Sequence, residues 1–202
     1  MKMIATLFVV FAFASSALGQ CPVPLPVPAV DLSKIAGRWY EIAGLTAGEF
    51  IESRACTTHD FTPREDGNFN CSFGGIKTDG SKFSDIGIAK RTDIPNLLNL
   101  NSLTEMVPWP INFYVADTDY DNYLAASFCM DIPQLLITVR VGMILSRTNT
   151  MSADKYAELT DLLVNKIGLP SDSIQSTIQK DCKYWPVSEL QQSEEIEYSP
   201  FN

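Results

Sequence analysis

Along most of this chain, apolar and polar residues alternate with a period of two. "LLNLNSLTEM" (97–106) does so almost strictly, and "FNCSFGGIK" (69–77) does so around a pair of glycines. A period of two marks a strand whose two faces meet different surroundings. The same reading covers "RWYEIAGLTA" (38–47), "ACTTHDFTP" (55–63), "KFSDIGIAKRT" (82–92), "INFYVADTD" (111–119), "YLAASFCMD" (123–131) and "LLITVRVGMILSRT" (135–148). Turn residues separate the runs at Pro63–Asn68, at Thr78–Ser81, which reads as a tight hairpin, and at Asp119–Asn122. About eight closely spaced strands predict an all-β fold, a sandwich or barrel rather than a βαβ unit. Short hairpins in chain order favour an eight-stranded up-and-down antiparallel barrel, whose closure also removes exposed edges.

The period changes once. "SADKYAELTDLLVNKIGLP" carries Tyr156, Leu159, Leu162, Leu163 and Ile167 at helical spacing, with Ser152 as N-cap. Gly168 ends the helix and Pro170 stops it. Its apolar stripe is expected to pack on the outside of the barrel.

The two ends differ from this body. Lys2, the apolar run "MIATLFVVFAFA" and the small residues Ala17 and Gly19 make a secretory signal peptide over residues 1–19. The run is shorter than the roughly 20 residues a membrane-spanning helix needs, so no transmembrane segment is expected. Residues 20–187 read as one domain, and 188–202, "SELQQSEEIEYSPFN", as an acidic flexible tail. After the signal, "CPVPLPVPAVDL" places a proline at every second position, which forbids a helix and favours an extended arm.

The formal net charge of −9 and the lack of a basic stripe argue against nucleic acid as a partner. A secreted chain holds disulfides by default. Five cysteines, Cys21, Cys56, Cys71, Cys129 and Cys182, leave one unpaired; five choices of the odd one times three pairings of the rest give fifteen arrangements, and spacing does not choose among them. No CxxC pair occurs and His59 is the single histidine, so no metal site is expected.

Three stretches carry a resemblance. "GRWYEIA" from Gly37, "TDYDNY" from Thr118 and "LSRT" with Arg147 resemble, in order and separation, the three motifs of the lipocalin family, and more closely its apolipoprotein D and insect bilin-binding branch. The resemblance spans roughly Cys21 to Trp185. It implies that Trp39 plugs the closed end of the barrel with Arg147 across its ring, Gly37 admitting the chain closely. Gly37, Trp39, Thr118, Asp119, Tyr120 and Arg147 are therefore structural. It also implies the disulfides Cys21–Cys129 and Cys56–Cys182, leaving Cys71 as the odd thiol, whether lining, buried and inert, or linking chains.

The function the resemblance implies is non-catalytic carriage of a small hydrophobic ligand, such as a bilin, carotenoid, sterol or fatty acid, with no required cofactor. An eight-stranded barrel is wide enough for one such molecule. The candidate lining residues are Tyr114 and Ala116, one face of the sixth strand, with Cys71, and Phe50 and Trp109 at the mouth. Glu41 and Asp60 are candidate inward carboxylates. Asn70 in "NCS" fits the N-glycosylation pattern and would face away from Cys71. Two rivals stand beside the carrier: a storage or coat-pigment subunit acting through its surface, with oligomerisation open, and a thiol-dependent isomerase using Cys71 with His59 on the neighbouring strand.

Overall fold

The computed structural model describes residues 21, 27–44, 54–103, 110–132 and 137–190. Its strands are β1 (Gly37–Gly44), β2 (Arg54–Pro63), β3 (Phe69–Lys77), β4 (Lys82–Arg91), β5 (Leu97–Ser102), β6 (Ile111–Thr118), β7 (Tyr123–Ile132), β8 (Ile137–Ser146) and a two-residue β9 (Gln175–Ser176). Each of β1–β8 pairs antiparallel with its chain neighbour, and β8 returns to β1, so eight strands close a barrel. The signal segment 1–19, Phe50 and Trp109 lie outside the described residues.

Contacts across the barrel fix which face points in. The rings of Phe61 on β2 and Phe113 on β6 stand 5.9 Å apart, although these strands are not neighbours in the sheet. With them in one cluster are Trp39, Phe69, Leu98, Val115 and Leu145. This interior cluster fills the end where β1 begins.

A second cluster lies outside. Helix α1 (Ala153–Asp161), continued by a π-helical turn over Leu162–Lys166, is capped by Ser152, whose Oγ accepts from Lys155 N at 3.3 Å. Its Leu159 and Leu163 are buried with Ala125, Ile144, Tyr114 and Ala116. The helical stripe thus covers the outer face of β6–β8, as its spacing predicted.

The barrel seam is split. β1 pairs with β2 only from Gly37↔Phe61 to Tyr40↔Thr58. Above that, a bulge shifts β1, and Ala43 and Gly44 pair with Ser176 and Gln175 of β9. The strap that follows β9 binds both sides. Thr177 N donates to Ile42 O at 2.9 Å, and Cys56 N on β2 donates to Ile178 O at 2.8 Å. Gln179 Nε2 donates to the carbonyls of both Glu41 and Thr57, at 2.9 and 2.8 Å.

The two disulfides are Cys21–Cys129 and Cys56–Cys182, with Cys71 free. The first ties the proline arm to β7, and the second ties the strap to β2. The folded chain also runs past the expected boundary at 188: Val187–Leu190 forms a short helix, α2, and Leu190 is buried beside Gly74. Among the described residues no helix is long and apolar enough to cross a membrane.

Candidate functional site

The floor is built first by backbone geometry. Gly37 has φ +98°, a value side-chain-bearing residues rarely adopt, and a Cβ there would sit 3.2 Å from Arg147 Nη1. Arg147 comes that close because its guanidinium carbon lies 3.5 Å from the Trp39 ring centroid. Its nitrogens donate to the carbonyls of Ala36 (2.9 Å), Arg38 (2.9 Å) and Tyr120 (3.0 Å). Trp39 is wholly buried, and its Nε1 donates to Ile35 O at 2.8 Å. One arginine therefore staples two backbone segments, the entry to β1 and the Asp119 turn, over the tryptophan that closes the barrel.

The neighbouring turn is held by Asp119. Its Oδ1 accepts from the amides of Asn122 (2.8 Å) and Tyr123 (3.0 Å), and its Oδ2 from Asn122 Nδ2 (2.8 Å). Burial opposes ionisation, but these bonds outweigh it and hold the carboxyl below the usual aspartate range. Thr118 Oγ1 accepts from Tyr120 N, and Tyr120 OH accepts from Asp31 N at 2.8 Å, joining the turn to the N-terminal segment.

Above the floor the interior changes character. On β2, β3, β5 and β7, the inward residues nearest the floor are buried: Phe61, Phe69, Leu98, Leu124 and Ala126. The inward residues nearer the other end are only partly buried: His59, Cys71, Phe73, Leu100, Phe128 and Met130. Their parity follows from unbroken register with the buried set along these stretches. The barrel is sealed below; above the floor these six inward side chains keep some exposure, while Glu41, Phe83, Asp85 and Val141, also inward there, are buried.

The inner wall above the floor is aromatic with polar insets. His59 stacks on Phe73 at 5.4 Å, and Phe73 meets Phe83 edge-on at 5.4 Å. His59 Nε2 lies 2.8 Å from Glu41 Oε2, and Glu41 Oε1 accepts from Thr177 Oγ1 at 2.7 Å. Glu41 thus faces in, whereas Asp60 faces out and pairs with Arg38 at 2.9 Å. Asp85 also faces in and accepts from Ser102 Oγ at 2.9 Å.

The structure corrects two lining candidates. Tyr114 and Ala116 sit in the cluster under α1, outside the barrel, while Phe113 and Val115 face the interior. All four are buried, because the helix covers one face of β6 and the interior the other. Burial on both faces erases the alternation by which the inward side is read. A bulge between Val115 and Asp117 shifts the parity again. Phe61, Phe73 and Phe83 were missed, yet "THDFTP" and "FNCSF" carry the alternation that places the first two beside Cys71.

Cys71 points inward, as Asn70 points outward, where its Oδ1 accepts from Arg64 Nη1 at 2.6 Å. Burial pushes the Cys71 thiol up to about 12, and the nearby charge of Asp85 adds to the effect. His59 is engaged by Glu41 and Phe73. These surroundings oppose a thiolate, which a thiol-dependent isomerase needs. Among the described residues, no group of three His, Cys, Asp or Glu is placed to hold a metal ion.

A closed up-and-down barrel, plugged at one end by a tryptophan–arginine pair and with partly exposed inward side chains toward the other, has the form of a calyx. Residues 36–181 match the Lipocalin / cytosolic fatty-acid binding protein family, and the chain belongs to that family. It is similar to apolipoprotein D of Mus musculus, 28% identical over 167 residues, covering 82% of this chain and 85% of the relative. Apolipoprotein D of Cavia porcellus is 27% identical over 166 residues, covering 81% and 85%. Among solved structures, insecticyanin from the tobacco hornworm Manduca sexta superposes with a TM-score of 0.62 at 20% identity, covering 83% of this chain and 91% of that one. Lobster apocrustacyanin A1 gives 0.60 at 20% identity, covering 75% and 82%. At such identity these structures speak for the fold.

Proposed function

We propose that this protein is a secreted, non-catalytic carrier that holds one small hydrophobic molecule in the upper calyx. The observation that carries the reading is the two-zone interior. Inward side chains are buried at the floor, whereas above it several, among them Phe73, Leu100, Phe128 and Met130, remain partly exposed. Burying a ligand against such a wall contributes about 25 cal/mol per Å² of apolar surface. A bilin, carotenoid, sterol or fatty acid fits this chemistry. Secretion is supported by the signal-like residues 1–19 and by two disulfides, which persist in oxidising compartments. The mature domain then starts near residue 20, the acidic tail follows Leu190, and Asn70 is available on the outer face for glycosylation.

The test is purification of the secreted protein from a eukaryotic host, with an absorption spectrum and mass spectrometry of the released small molecule. A bound pigment, lipid or sterol is expected. An empty protein whose tryptophan fluorescence no apolar probe quenches would overturn the reading.

A further inference from the structure

This inference rests on the carrier reading and adds a route by which the ligand leaves. We infer that the Cys56–Cys182 disulfide is a redox-operated catch on a side exit. When a dithiol reduces it, the strap comes free and the wall opens between β1 and β2.

The strap stands where the wall lacks a strand pair. Beyond Tyr40↔Thr58, β1 and β2 do not pair, and residues 175–179 fill the gap. On the inner side, Thr177 Oγ1 donates to Glu41 Oε1 at 2.7 Å, and Glu41 meets His59 of the inner wall. On the outer side lies a surface pocket of about 390 Å³, whose lining includes Ile42, Met151, Tyr156, Thr177 and Gln179. Thr177 therefore borders both the interior and the pocket. A ligand crossing at this point moves from the inner wall to a partly apolar surface without passing the mouth.

The disulfide is the covalent tie between the strap and β2. The other ties are hydrogen bonds: Cys56 N to Ile178 O, Thr177 N to Ile42 O, and Gln179 Nε2 to the carbonyls of Glu41 and Thr57. Each contributes little once water can replace it. The disulfide keeps the strap beside β2 so that they re-form.

The backbone is costly at both ends of this link. Among the described residues, four that are not glycine have positive φ, and two of them are Cys56 and Asp181, each at 56°. Residues with side chains persist in the left-handed region where surrounding ties hold them there. Breaking the disulfide removes a tie common to both.

Exposure sets the direction of attack. Cys182 is partly exposed, whereas Cys56 is buried. A thiolate of the dithiol bonds to Cys182 Sγ, the S–S bond breaks, and Cys56 leaves as a thiolate and takes a proton. The second thiol of the reductant then displaces Cys182. Two electrons pass to the protein, which ends with two thiols, and the dithiol ends as a disulfide. Lys180 and Lys183, both exposed, outnumber Asp181 beside the sulfur and draw an anionic thiolate toward it.

The experiment loads delipidated full-length protein with an apolar fluorescent probe and adds dithiothreitol at pH 8 without denaturant. Differential alkylation reads which cysteines are free, hydrogen exchange reads the seam, and trapping of released probe reads its dissociation rate. Once Cys56 and Cys182 are free, the amides of Cys56 and Thr177 are expected to exchange about tenfold faster or more, with β6–β8 unchanged. Probe dissociation should quicken by about the same factor and slow again on reoxidation. A variant carrying Cys56→Ser and Cys182→Ser should release probe at the fast rate with or without dithiothreitol, which excludes an effect through Cys21–Cys129. If that variant fails to fold, the wild-type readouts still decide. A disulfide that resists reduction until the barrel unfolds, seam amides that stay protected after reduction, or acceleration spread evenly over β6–β8 would each overturn the catch. An open seam with unchanged probe dissociation would overturn the exit and leave the carrier standing. Wild type that binds no probe would remove the carrier reading and the exit together.

Discussion

Arg147 lies over Trp39 at 3.5 Å and, with the same guanidinium, holds the backbone carbonyls of Ala36, Arg38 and Tyr120. Two kinds of interaction therefore depend on one side chain. The cation–π contact contributes about 1–2 kcal/mol when desolvated, and each hydrogen bond to a charged donor a comparable amount. Arg147→Ala should lower unfolding free energy by about 3 kcal/mol in urea titration, allowing for partial replacement by water. Arg147→Lys keeps the charge but not the fork, and should recover less than half. A lysine variant as stable as wild type would show that the charge alone holds the floor.

The Cys71 thiol offers a chemical probe of the interior. Burial and Asp85 push it up to about 12, so the native thiol is protonated at neutral and mildly alkaline pH. Alkylation by iodoacetamide at pH 8 should be far slower in the folded protein than in guanidinium, where an ordinary cysteine near 8.5 reacts readily. Equal rates in the two states would place the thiol in water and away from the inner wall.

Parity on β6 can be tested by separating stability from binding. Tyr114 packs under α1, and Phe73 points inward above the floor. Tyr114→Ala should cost about 3–5 kcal/mol of stability, as large aromatic truncations in a core do. Apolar-probe affinity should be unchanged while the protein remains folded. Phe73→Ala, at a half-buried site, should lower stability less and weaken probe binding more. The reverse pattern would turn β6 around.

How far the sequence reaches depends on which contacts are local. Strands, hairpin turns and the Ser152 cap are written within a few residues of each other. The floor is legible because Gly37, Trp39, the Asp119 turn and Arg147 each carry a recognisable local pattern. Tyr114 lies under α1 rather than inside, against the expectation from alternation, because β6 is buried on both sides and its four central residues are all buried. β9 escaped because two residues make no pattern. Its place is set by tertiary pairing far along the chain, of Ala43 with Ser176 and Gly44 with Gln175. The Glu41–His59 pair was likewise invisible: it exists because Trp39 and His59 are opposite each other in the β1–β2 register.

Acid should weaken the floor turn. The folded Asp119 carboxyl titrates below its unfolded value of about 3.9, so it contributes stability above that pH. The contribution is lost as pH falls through the lower, folded value. Wild type should be more stable than Asp119→Ala at pH 7, with the part of the gap due to ionisation closing below about pH 4. Urea midpoints across that range would show it. A gap independent of pH would mean that the ionised carboxylate adds nothing beyond packing.

The split seam makes the strap a structural member of the barrel wall. Above Tyr40, β1 and β2 are joined through residues 175–179 rather than to each other. Cys56–Cys182 fastens that strap to β2 and closes a separation of 126 residues. In the chain-entropy account such a link adds about 4–5 kcal/mol, so replacing both cysteines by alanine should lower stability by up to that amount. The local effect is more diagnostic than the total. Hydrogen exchange should accelerate first at Cys56 N and Thr177 N, which bond across the seam to Ile178 O and Ile42 O, while β6–β8 amides keep their protection. Cys21–Cys129, anchored on β7, remains intact in that variant, so the N-terminal arm serves as an internal control. Uniform acceleration over the whole barrel would mean the disulfide acts only on the unfolded chain; acceleration confined to the seam would mean the strap holds the calyx wall shut.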